Sequence, residues 1–86
     1  MTKRFEVCKD VDSLKPGESF EWVNSTDKDC AVVKCKPPLE QNRYVVKKHG
    51  GTTPAKVQDK ATPQDYDYDC ECEGFKTNPK IIIGSA

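Results

Sequence analysis

The stretch that most constrains this chain is Gln64-Asp65-Tyr66-Asp67-Tyr68-Asp69-Cys70-Glu71-Cys72-Glu73. Asp65, Asp67, Asp69, Glu71 and Glu73 share one parity; Tyr66, Tyr68, Cys70 and Cys72 share the other. Period two is the pattern of a strand with one wet face and one buried face. Tyrosine suits a half-buried pleated surface, and aspartate is tolerated there only when it points at water. The carboxylates are therefore placed outside, and two tyrosines and two cysteines are brought to the inner face.

The rest of the chain breaks into similar short runs. Arg4 to Lys9 alternates, with Phe5 and Val7 inward and Cys8 on the outward parity beside Glu6. Lys15-Pro16-Gly17-Glu18 is a turn: proline pre-sets one φ and glycine supplies a positive one. Ser19 to Asn24 follows as a strand with Phe20 and Trp22 on the core face, and Asn24 to Asp29 is a polar loop. Cys30 to Lys36 is a third strand, ended by Pro37-Pro38, which lack ladder donors. Arg43 to Lys48 and Ala55 to Gln58 read as two arms of a hairpin around His49 to Pro54. Glu73 to Pro79 is a loop, and Lys80 to Gly84 is the last strand. No run has apolar residues at helical spacing. Seven short strands separated by turn signals predict an all-β fold, an antiparallel Greek-key sandwich of two packed sheets.

Length bounds the rest. Eighty-six residues make a single domain, residues 1–86, near the lower end of what folds unaided. A chain this size buries only about 60% of the surface its unfolded form exposes, so cross-links help. Five cysteines suit that need, and their odd number leaves one unpaired within a monomer. Zero formal net charge removes the general electrostatic case for nucleic acid or a membrane surface, and the longest apolar run is Ile81-Ile82-Ile83. Met1-Thr2-Lys3-Arg4 has a basic start with no apolar run after it, so it is not read as a signal peptide. A periplasmic or extracellular setting is expected if disulfides form and a leader was removed, and a cytoplasmic one otherwise.

The order of elements resembles one known family. Lys15-Pro16-Gly17-Glu18-Ser19-Phe20-Glu21-Trp22-Val23-Asn24 is similar to the Lys-x-Gly-Asp-x-Val-x-Trp-x-Asn strand of cupredoxins, the small blue-copper proteins. Tyr66-Asp67-Tyr68-Asp69-Cys70, then Phe75 and the final strand from Lys80 to Gly84, resembles that family's C-terminal ligand region. The resemblance runs from Leu14 onward and implies a cupredoxin-like sandwich. The ligand set does not carry over. A blue-copper site takes two histidines, one cysteine and a weak axial group. Only Cys70 is in place; Cys30 stands where the first histidine belongs, Glu73 near the second and Lys76 near the methionine.

The cysteines then carry the functional question. Cys30, Cys35, Cys70 and Cys72 are the disulfide candidates, and Cys8 is the expected unpaired one. Cys30 with Cys72, and Cys35 with Cys70, suit two nested bridges between antiparallel neighbours. Cys30 and Cys35 have opposite parity, so a bulge near Cys30 is needed to turn both inward. Four cysteines allow three connectivities, and all stay open. The alternative is a thiolate site for Zn²⁺ or Cu(I), made by Cys30, Cys70 and Cys72 with Glu73, Cys35 or Cys8 as fourth ligand. The single residue between Cys70 and Cys72 is short for a structural zinc pair. A catalytic dithiol has the least support, because Asp69, Glu71 and Glu73 raise the pKa of neighbouring thiols.

Other features read as structure. His49 is a solvated turn residue with no partner nucleophile. Gly50-Gly51 lacks the strand-to-helix context of a phosphate loop. The carboxylate row is a solvated edge, or a docking patch for a basic partner. Lys34, Lys36, Lys47 and Lys48 can pair with it across strands. The sequence thus predicts a non-enzymatic structural or binding module stapled by disulfides, with no cofactor. Its contact surface would be the loops Asn24 to Asp29 and Glu73 to Pro79. The competing expectation is a cysteine-rich copper or zinc protein, or an electron carrier. A protein partner is expected, and the chain is a monomer or a Cys8-linked dimer.

Overall fold

The computed structural model describes residues 2–85. These residues form ten strands and no helix. They are β1 (Lys3–Glu6), β2 (Val11–Leu14), β3 (Ser19–Asn24), β4 (Cys30–Val33), β5 (Arg43–Val46), β6 (Gly51–Lys56), β7 (Asp65–Asp67), β8 (Asp69–Cys72), β9 (Phe75–Thr77) and β10 (Lys80–Ile83). Three sheets result, with strand orders β1-β3-β6, β2-β10-β7 and β5-β4-β8-β9. The all-β class stands. The expected seven-stranded, wholly antiparallel sandwich of two sheets does not: β1 runs parallel to β3, and β2 runs parallel to β10.

Each departure has a local cause. The N-terminal run stops at Glu6 because the chain turns at Val7 and Cys8, where Cys8 takes a φ of 63°. The segment after that turn, β2, joins a different sheet. Its pairing jumps from Val11 opposite Ile81 to Leu14 opposite Ile83, and Ser13 has a φ of 62°. That bulge leaves Val11 and Leu14 buried three residues apart, so period two cannot find the strand.

The long alternating run is also divided. β7 pairs with β10 in one sheet, and β8 pairs with β4 and β9 in another. Tyr68 is the residue between them and is buried. Parity nevertheless holds across the break: Tyr68 and Cys70 are buried, Tyr66 and Cys72 partly so, and Asp65, Asp67, Glu71 and Glu73 are exposed. β9 arises from the expected loop after Glu73. Gly74, at φ 91°, lets the chain reverse so that Phe75 lies opposite Cys72.

The expected hairpin between β5 and β6 is absent. β5 pairs with β4, whereas β6 pairs with β3. The intervening turn is bound elsewhere: the His49 amide donates to the Thr26 carbonyl at 2.9 Å and the Gly50 amide to the Asn24 carbonyl at 2.7 Å. The turn therefore carries the chain from one sheet to another.

Aromatic side chains join the layers. Phe5 meets Phe20 edge-on at 5.7 Å, Phe20 meets Trp22 at 5.2 Å, and Trp22 leans on Tyr68 at 5.5 Å. Such contacts add about 0.5–1.5 kcal/mol each beyond area burial. Val11, Leu14, Val32, Val46, Ile81 and Ile83 complete a core drawn from every sheet. Among the described residues, no helix is long and apolar enough to cross a membrane.

Candidate functional site: a double-disulfide cluster

Four cysteines meet where the N-terminal turn reaches the sheet of β4 and β8. β4 and β8 are antiparallel, with Cys30 opposite Cys72 and Val32 opposite Cys70. Directly opposed side chains on one face are close enough to bond. Cys30 and Cys72 form a disulfide with Cα atoms 4.1 Å apart. Two residues along the same face, Cys70 is bonded to Cys8, with Cα atoms 5.1 Å apart.

Cys8, expected to be unpaired, thus holds the N-terminal turn to β8. Its outward parity applied only to a continuing strand. The positive φ at Cys8 ends the alternation and redirects its Cβ. Cys8 is bonded within the chain and offers no thiol for a Cys8-linked dimer.

Cys35, expected among the bridged cysteines, is a buried free thiol. β4 ends at Val33, and Lys34 turns the chain with a φ of 57°. That turn, rather than a bulge at Cys30, brings Cys35 inward. Its Sγ donates to the Gln41 carbonyl at 3.2 Å. Burial pushes the Cys35 thiol up from 9.0 to about 11.

The two bridges touch. Cys8 Sγ lies 3.4 Å from Cys72 Sγ, although each is bonded to a different cysteine. The sulfurs of Cys8, Cys70 and Cys72 all fall within 4.8 Å of one another. Cys30 and Cys70 are buried, while Cys8 and Cys72 are partly buried at the rim of the core. Of the metal set Cys30, Cys70, Cys72 and Glu73, the three cysteines come together with Cys8; Glu73 is exposed beside the β8–β9 turn. Lys76 lies in β9, paired with Glu71, and its ammonium is 3.6 Å from Asp69 and from Glu71.

The surroundings are tightly hydrogen-bonded. Tyr68 hydroxyl donates to the Lys9 carbonyl at 2.6 Å, one residue past Cys8. Burial pushes the Tyr68 phenol up. Asn24 is fully buried, and its Nδ2 donates to the carbonyls of Lys28 at 2.7 Å and Val46 at 2.9 Å. Its Oδ1 accepts from the Thr26 amide at 3.0 Å and hydroxyl at 2.6 Å. Every polar atom of this buried side chain is satisfied, as burial demands. Asp29 accepts from the Lys48 amide at 3.0 Å, and that bond holds its carboxyl below the usual range. The loop from Asn24 to Asp29 and the turn at His49 are therefore one ordered unit next to Cys30. The exposed His49 takes part through its backbone amide.

Three carboxylates of the row, Asp67, Asp69 and Glu71, are paired with lysines. Asp67 pairs with Lys80 at 2.8 Å, and Asp69 with Lys34 at 3.5 Å. Cross-strand ion pairs of this exposed kind contribute little each. Phe75, opposite Cys72 on edge strand β9, is 47% exposed and is an apolar element of this end that sequence alternation did not single out. No protein-family model matches the chain, and no curated protein matches it.

Proposed function

We propose that the chain is a small non-enzymatic binding module on a cupredoxin-like scaffold, with disulfides in place of a metal as the cross-link. The observation that carries this reading is that four of five cysteines are used in two bridges that tie β8 to both β4 and the N-terminal turn. Each bridge contributes about 2–4 kcal/mol to a small domain. Two loops flank the stapled end. The Asn24 to Asp29 loop runs directly into Cys30, and the β8–β9 turn leaves directly from Cys72 beside exposed Phe75. Loops held on a rigid scaffold are a usual place for recognition. A protein ligand meeting Phe75 and these loops suits the mixed charges of Asp27, Lys28 and Glu73.

Intact-mass measurement tests the staple. Each bridge removes two hydrogens, so the untreated chain should weigh about 4 Da less than the reduced chain and carry no metal. A fully reduced mass in the untreated protein overturns the reading. The paired variant Cys30→Ser with Cys72→Ser should lose about 2–4 kcal/mol of unfolding free energy.

A second reading rests on the closeness of the sulfurs of Cys8, Cys70 and Cys72, within 4.8 Å of one another. Reduced, these thiolates with Cys30 offer the soft donor set that suits Zn²⁺ or Cu(I). Native mass spectrometry of the reduced chain with Zn²⁺ tests it. A zinc adduct that disappears in Cys72→Ser supports a metal site, and the absence of any adduct removes it.

A further inference from the structure

The two disulfides are arranged so that one sulfur of each faces the other. Cys8 and Cys72 belong to different bridges and stand 3.4 Å apart at the partly exposed rim. Their bonded partners, Cys70 and Cys30, are 0% and 2% exposed. We propose that the four sulfurs form a thiol–disulfide exchange site, through which the chain oxidises a partner dithiol and stores the electrons on Cys30 and Cys70. This rests on the two bridges of the stapled reading.

The exchange runs as follows. One thiolate of the partner dithiol attacks Cys8 Sγ. The Cys8–Cys70 bond breaks, and its electron pair leaves on Cys70, which takes a proton. The second partner thiolate attacks the partner's own sulfur in the mixed disulfide. That closes the partner's disulfide and releases Cys8 as a thiolate. Cys8 then attacks Cys72 Sγ, 3.4 Å away. The Cys30–Cys72 bond breaks, and Cys30 leaves with the pair and takes a proton. The partner has lost two electrons and two protons, and Cys30 and Cys70 hold them as thiols. The chain keeps one bridge, now between Cys8 and Cys72.

Opening the other bridge first leads to the same place. A thiolate released at Cys72 attacks Cys8 across the same contact and expels Cys70. Both routes end with the two rim sulfurs bonded and the two core sulfurs as thiols. Core burial suits this product, because a neutral buried cysteine packs as a small apolar side chain. Contact distance favours both transfers, since held neighbours react at very high effective concentration.

The test is disulfide mapping. The wild-type chain is treated with substoichiometric dithiothreitol, trapped with N-ethylmaleimide and digested. The molecules that have taken up two electrons should contain a Cys8–Cys72 peptide, with Cys30 and Cys70 alkylated. Finding only Cys8–Cys70 or only Cys30–Cys72 in those molecules overturns the proposal, as does a bridge to Cys35. Two variants repeat the test without a reductant. Cys30→Ser and Cys70→Ser each leave one rim thiol beside the remaining bridge, and both should yield the same Cys8–Cys72 link. Their circular dichroism confirms folding. Failure of the mapping leaves the mass deficit of the untreated chain intact. A missing mass deficit instead removes the stapled reading itself.

Discussion

Tyr68 and Lys9 are 59 residues apart, yet the tyrosine hydroxyl donates to the lysine carbonyl at 2.6 Å. The bond fastens the turn that carries Cys8 to the residue where the chain passes from β7 to β8. Tyr68→Phe keeps the ring against Trp22 and deletes only the donor. It should cost about 0.5–1.5 kcal/mol in urea unfolding, the net worth of a typical hydrogen bond, because the exposed Lys9 carbonyl can turn to water. In a Cys8→Ser background the loss should shrink by about 0.5 kcal/mol or more, since the turn is then already loosened. Additive losses would mean that bridge and hydrogen bond hold the turn independently.

Asn24 holds the loop before Cys30 through four hydrogen bonds from a position with no solvent access. Asn24→Ala should lower unfolding free energy by about 2–3 kcal/mol, since carbonyls of Lys28 and Val46 lose their donors. Amide exchange at Thr26, His49 and Gly50 should quicken more than at β10. Equal change at all of these sites would contradict a local role.

Cys35 sets an alkaline limit. Its folded thiol titrates near 11, above its ordinary 9.0. The folded state therefore binds more protons than the unfolded state between those values, and stability falls as pH rises through that window. Below pH 9 the contribution is fully present. Cys35→Ala should flatten the decline in chemical-denaturation midpoint between pH 9 and 11. The buried phenols of Tyr44 and Tyr68, also pushed up, sustain a decline above their ordinary 10.0. Alkylation of native Cys35 at pH 8 should be far slower than in urea. Rapid native alkylation would show that the thiol is accessible.

Asp69 sets a smaller acidic one. Asn78 donates to its Oδ1 at 2.9 Å and, with Lys76 and Lys34, holds the carboxyl below its ordinary 3.8. A depressed pKa gives stability that is present above the ordinary value and fades as pH falls through the folded one. Asn78→Ala should move the Asp69 midpoint upward in an NMR titration of side-chain carboxyls. An unmoved midpoint would assign the depression to the lysines alone.

The sequence made some of this legible and hid the rest for physical reasons. Alternation identified the inner face carrying Tyr68, Cys70 and Cys72, because one side of that run meets water. It could not show the division at Tyr68, since parity is unchanged when a straight run pairs with one neighbour and then another. β2 was hidden by its bulge, and β9 by brevity and full exposure. The expected Cys30–Cys72 pairing is present, but the second bridge was misread for a related reason. Side-chain direction follows parity only while φ stays negative, and Cys8 and Lys34 both break that condition. Cys8 and Cys35 consequently exchanged their expected roles, Cys8 being bridged and Cys35 free. The cupredoxin-like motifs lie in β3 and in the run from Tyr66 to Cys70, which do form strands, whereas the resemblance left the N-terminal segment and its cysteine unaddressed.

The division of the β7–β8 run at Tyr68 has a consequence for how the molecule comes apart. One unbroken length of backbone supplies ladder hydrogen bonds to two sheets, and Tyr68 at its midpoint touches Trp22 of the third. Separating either of those two sheets pulls on the backbone that the other holds. The domain should therefore unfold as one cooperative unit, with amides on both sides of Tyr68 exchanging only when the whole chain does.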